Sequence, residues 1–191
     1  MIINPESNVN PELANVGVAY LATINNSKVI DLNTKPFPKN RFLNFESDNV
    51  FISVRPFSLN ESKRIESLYK TKFPKSKVSS ITGIIDIFCC YPFVKLAKNT
   101  NLDNEFSDSL PFPKYELFDS FGIFKNKWGS GEWLYPIMTS LGCPYQCVYC
   151  KSHNRKWVPR SAKNCYEELK RAKLKYGIQS FTPVDDCFNL D

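Results

Sequence analysis

Cys143, Cys147 and Cys150 fall within eight residues in the stretch Ser140–Asn154, SLGCPYQCVYCKSHN, with Tyr149 just before the third thiol and His153 three residues after it. Three chemistries suit these residue types. Free cysteine is among the most buried side chains, so the thiols could simply pack. Gly142, Pro144 and Gln146, and the lack of strand or helix periodicity, speak against that. Three cysteines with His153 could close a tetrahedral zinc site, although structural zinc usually draws its ligands from two separated knuckles. Thiolates on a short, turn-rich loop also hold iron–sulfur clusters, where backbone N–H groups can point at the sulfurs. Three thiolates for four irons leave one iron open, and an open metal position is what separates catalytic from structural sites.

The elements that must carry this loop alternate between strand and helix. MIINP reads as a short strand, and Asn10-Pro11 offers a helix start before the apolar ELANVGVAYLATINN. KVIDLNT is a second strand and NVFISV a third, near-continuous in its hydrophobicity as strands buried on both faces are. Ser58 and Glu61 have capping-box spacing at the head of a helix running to about Lys72. KVSSITGIIDIFCCY reads as a fourth strand with a turn at Gly83 and further apolar chain. The pattern predicts an α/β fold beginning with a doubly wound, Rossmann-like parallel sheet over residues 1–100. Residues 101–134, with Pro111, Pro113, Gly122, Gly129 and Gly131, read as a linker. LYPIMTS then leads into the cysteine loop, an amphipathic helix over Ser161–Tyr176 presents Ala162, Cys165, Tyr166, Leu169, Ala172 and Tyr176, and Gly177 ends it before IQSFTPV. Two parallel strands and one helix cannot bury a sheet alone, so residues 135–191 read as the opening β/α units of a larger barrel, and the chain as an N-terminal piece of a longer protein.

C-x3-C-x2-C with an aromatic before the third cysteine, after a strand and before a helix, resembles the signature of the radical S-adenosylmethionine (radical SAM) superfamily. The stretches LPFPKYELFD, PIMTSLGCPYQCVYC and YGIQSFTPVDDCFNLD, following VGVAYLA and VFISVRPFS, are similar in order to members with an N-terminal cobalamin-binding-type domain. The resemblance implies a four-iron, four-sulfur cluster (4Fe-4S) on Cys143, Cys147 and Cys150, in a partial TIM-type barrel. It implies S-adenosylmethionine bound near Gly142, Tyr149, Asp185 and Asp186, and cleaved by one electron to a 5′-deoxyadenosyl radical. It further implies an electron donor of flavodoxin or ferredoxin type, and an oxidoreductase or transferase whose substrate is unknown. Cobalamin binding stays open: His153 is the sole histidine and lies beside the cysteine loop, so a histidine-on mode is excluded, and Thr82-Gly83 stands where a glycine pair is usual.

A ligand of the first sheet would sit at the carboxyl ends of its strands, which nominates Asn4, Pro5 and the Arg55–Ser58 turn. Pro183, just before the two aspartates, is awkward in a parallel strand because it lacks a ladder N–H. The class opposed to an enzyme is a zinc-binding or interaction module built on the same loop. A net charge of +6 permits an anionic partner without demanding one. Nine Lys and Arg against two Glu between Lys151 and Lys175 read more simply as a solvated helix face than as a nucleic-acid footprint. Cys89, Cys90, Cys165 and Cys187 read as buried or incidental thiols. No run approaches a membrane span and the N-terminus lacks a signal-peptide layout, so the expected compartment is the cytoplasm, where thiols stay reduced.

Overall fold

The computed structural model describes residues 1–6, 16–33, 38–54, 58–82, 108–119, 134–149 and 156–190. The Asn10-Pro11 helix start, the Arg55–Phe57 part of the nominated turn, Gly83, Cys89, Cys90, Cys150 and His153 lie outside them.

Four short parallel strands form the first sheet: β1 (Ile2–Asn4), β2 (Val29–Asp31), β3 (Asn49–Val54) and β4 (Lys77–Thr82), in the order β2-β1-β3-β4. Alternation along each strand splits the apolar side chains between two layers. Ile2, Val29 and Phe51 face helix α1 (Val16–Ile24), whereas Ile3, Ile30, Ile52 and Val50 face α2 (Leu59–Lys72) through its Ile65 and Tyr69. Helices therefore cover both faces, which is why these strands carry little polar alternation. α2 starts where expected, but without the capping box. The Ser58 side chain makes no cap hydrogen bond. Glu61 instead accepts from Nε and Nη2 on one edge of the Arg64 guanidinium, at 2.8 and 2.6 Å, a charge-assisted pairing stronger than one to a neutral backbone N–H.

The second sheet pairs β5 (Leu134–Ile137) with β8 (Ser180–Pro183) in parallel, and a small antiparallel pair, β6 (Ser140–Leu141) with β7 (Val158–Pro159), closes the base of the cysteine loop. Helix α3 (Ala162–Tyr176) links the loop to β8. The Ser161 side chain caps it by accepting from the Asn164 N–H, and Gly177 ends it at φ 67°. The buried stripe of α3 differs from the expected one: Glu168, Ala172 and Tyr176 are buried, with Cys165 and Leu169 half-buried, while Ala162 and Tyr166 face solvent. A charged residue holds the central core position because it has a buried partner, Arg160, that no apolar periodicity reveals. Pro183 costs β8 nothing on its paired side. Val184 donates its N–H to the Ile137 carbonyl at 2.9 Å, so by strand alternation the proline nitrogen faces away from β5.

Residues 108–119 are packed chain. Tyr115 and Phe118 are buried, Phe118 bridges to Val29 at the sheet edge, and the Asp119 carboxylate binds Arg41 at 2.7 Å. Tyr115 stands edge-on to Tyr135 and Tyr176, at 5.5 and 6.2 Å between ring centres. One apolar cluster consequently runs from Ile2 and α1 through Tyr115 to Tyr135, Ile137, Ala172 and Tyr176. The observed architecture is an α/β fold with a four-stranded parallel sheet and three described helices.

Candidate functional site

The cysteine loop leaves β6 through Gly142, a buried residue at φ 84°, a conformation that an L side chain adopts only with strain. Cys143 follows at the surface boundary, and residues 144–149 are exposed, with Cys147 among them. Tyr149 is 87% exposed and Val148 99%, so the loop presents apolar side chains and a thiol directly to solvent. The chain returns through Trp157 and β7 to Arg160, whose N–H donates to the Thr139 carbonyl at 2.8 Å.

Arg160 is the anchor of that return. Its guanidinium donates to the Met138 carbonyl at 2.8 Å, to the Tyr20 hydroxyl at 3.3 Å and to Asn164 at 2.8 Å, and it pairs with Glu168 at 2.5 Å. Both side chains of the ion pair are 1% exposed. The other Glu168 oxygen accepts from the Tyr135 hydroxyl at 2.8 Å. Burial pushes the Glu168 carboxyl above its ordinary range, against the pull of Arg160 and Tyr135. Burial also raises Tyr20 and Tyr135, which the nearby carboxylate reinforces. α1, β5, the loop return and α3 thus meet in one buried polar network.

The segment after β8 closes over the same loop base. Asp185 accepts from the Thr139 N–H at 2.7 Å and from the Thr139 hydroxyl. Its carboxyl is raised by burial, against those same hydrogen bonds. Asp186 is exposed. The Cys187 carbonyl accepts from Ser140 Oγ at 3.1 Å and from Trp157 Nε1 at 3.3 Å. Loss of hydration, followed by the neighbouring Cys143 thiol, raises the Cys187 thiol.

The fold therefore brings Gly142, Cys143, Asp185 and Cys187 to one place, with Cys147 and Tyr149 on the exposed arm of the same loop. Among the described residues no three His, Cys, Asp or Glu side chains converge as a metal-holding group. The donors that are described, Cys143 and Cys147, are free thiols, a set that suits a soft thiolate-ligated centre better than a hard cation. Sequence reasoning singled out neither Thr139 nor the Arg160–Glu168 pair as functional, and it treated Cys187 as incidental. The only local signal was Cys187 following Asp185 and Asp186 directly. At the first sheet, Asn4 is occupied within the protein: it donates to Asp31 at 2.9 Å and accepts from Ser53 at 2.7 Å. Of the basic run, Arg160 is buried in its ion pair, and Arg171 and Lys175 both pair with Glu116. Among the described residues no helix is long and apolar enough to cross a membrane.

An α/β fold with a thiol-bearing loop between a parallel strand and a helix is what the geometry defines. An uncharacterized methyltransferase of Pyrococcus horikoshii is 34% identical to this chain over 87 residues, 44% of the chain and 18% of that protein. The chain thus matches less than a fifth of that relative's length. No family model matches the chain, and no solved structure matches it.

Proposed function

We propose that this chain is part of a radical SAM enzyme, with methyl transfer as its reaction class. The observation that carries the proposal is the C-x3-C-x2-C stretch that follows parallel strand β5 and precedes α3 in the chain. The methyltransferase relative supports the choice of reaction. Cys143, Cys147 and Cys150 would hold a 4Fe-4S cluster, which when bound supplies the electron for reductive cleavage of S-adenosylmethionine.

The chain's own residues have separable tasks in this proposal. Gly142 lets the backbone turn sharply into the first ligand. Arg160 clamps the end of the loop to Met138 and Thr139, fixing where the thiols stand. Asp185, which also holds Thr139, and Asp186 would supply carboxylates to an amino group or ribose hydroxyl. Tyr149, on the exposed arm, lies beside the third ligand in sequence and would cover the adenine. The same exposed arm gives a flavodoxin- or ferredoxin-type donor access to the cluster. Residues 1–100 form the cobalamin-type domain, 101–134 the connection, and 135–191 the start of a radical SAM barrel. Cobalamin would meet the first sheet at the carboxyl ends of β1 and β3, where the strand order reverses. The cytoplasm is the compartment that keeps such thiols reduced.

Anaerobic reconstitution with iron and sulfide tests the assignment. The expected result is a broad visible absorption band that disappears in Cys147→Ala. A colourless protein holding one tightly bound zinc would refute it, and would favour a zinc or interaction module instead.

A further inference from the structure

Cys143 and Cys187, 44 residues apart in sequence, are brought together where the Cys187 carbonyl meets Ser140 and Trp157 at the base of the cysteine loop. Neither thiol is in a disulfide, and both are half-buried rather than sealed in the core. The two backbones are already tied. Ser140 and Trp157, on either side of the loop, both donate to the Cys187 carbonyl, and Asp185 holds Thr139. A disulfide needs its two Cα atoms within roughly 7 Å, and segments tied to each other in this way hold the two cysteines as neighbours for it. Cys165, by comparison, packs against the apolar cluster from the half-buried side of α3.

We infer that Cys143 and Cys187 form a reversible disulfide. With oxidised glutathione as oxidant, one protein thiolate attacks the glutathione disulfide, forming a mixed disulfide and releasing one glutathione thiol. The second protein thiolate then attacks the protein sulfur of that mixed disulfide, forming the Cys143–Cys187 bond and releasing the second glutathione thiol. The protein pair loses two electrons and two protons, and one glutathione disulfide becomes two thiols. In a reducing compartment disulfides are typically transient and redox-sensing. The consequence, which rests on the proposed function, is that oxidation withdraws Cys143 from the ligand set and stops cluster assembly until a thiol reductant restores it.

The reduced full chain is treated anaerobically with excess oxidised glutathione, alkylated and digested with trypsin. The link is read by mass spectrometry between the peptides Trp128–Lys151 and Tyr176–Asp191. The expected result is that this link accounts for most of the oxidised chain, persists in the Cys147→Ser/Cys150→Ser double variant, and is reversed by dithiothreitol. Bonds within the loop with Cys187 alkylated, or glutathione on Cys187 alone, would overturn the inference. Loss of the link in the double variant would do the same. Oxidised wild type should load no cluster, whereas Cys187→Ser treated identically should load one. If both load equally, the gating role falls. A chain that forms the link yet never loads a cluster in any state keeps the disulfide and removes the proposed function.

Discussion

Asp185 holds Thr139 twice, through its backbone N–H at 2.7 Å and through its hydroxyl. This relationship joins the turn after β8 to the link between β5 and β6, and so sets the height at which the cysteine loop starts. Asp185→Ala removes both acceptor oxygens at once, leaving the Thr139 N–H and hydroxyl without them. The expected loss is about 1–3 kcal/mol of stability, read as a lower urea midpoint, together with weaker cluster loading at unchanged Cys143, Cys147 and Cys150.

Arg160 and Glu168 form a buried pair in which each satisfies the other. Removing one partner leaves an uncompensated charge, so Arg160→Met should cost about 3–5 kcal/mol. Arg160→Lys should not restore it, because a point ammonium cannot span Met138, Tyr20, Asn164 and Glu168 together. Arg160→Met/Glu168→Leu should recover part of the loss. Equal stability of the single and double variants in denaturant titrations would contradict this account.

The same pair carries a pH signature. The Glu168 carboxyl is raised in the folded protein, so folding favours its protonated form. Its contribution is therefore full below the ordinary glutamate value near 4.5 and declines as pH rises through the folded value. The stability gap between wild type and Glu168→Gln should narrow across that window, as measured by urea unfolding at stepped pH. A gap that widened with pH would reverse the sign.

Helix α3 is bounded by two local devices whose contributions can be separated. Ser161→Ala removes the side-chain acceptor for the Asn164 N–H and should cost about 1 kcal/mol. Gly177→Ala meets no atom within 4 Å of the added carbon, so its expected cost of about 1–2 kcal/mol is purely that of the left-handed backbone. Both are read by thermal unfolding, and they should be additive because they act at opposite ends of the helix.

Much of this protein was legible locally. Short apolar runs bounded by turn residues, and the helical pattern between them, predicted the four strands of the first sheet and α2. They also predicted the limits of α3, because Ser161 and Gly177 act within one turn of themselves. Three thiols in eight residues also narrow the donor set whatever surrounds them.

Local pattern could not reveal the partners that come from far along the chain. Glu168 occupies a core position only because Arg160 is folded over it, and hydrophobic periodicity counts a charge as surface. Residues 108–119 have a turn-rich composition, yet Tyr115 and Phe118 are buried because the edge of β2 and the face of α3 are there to receive them. Cys187 was one unpaired thiol among several in the sequence. Its place beside Cys143 depends on β8 pairing with β5 and on hydrogen bonds from Ser140 and Trp157. Short-range propensity determines elements and reactive types; which side chains share a site depends on long-range packing, which only the tertiary structure decides.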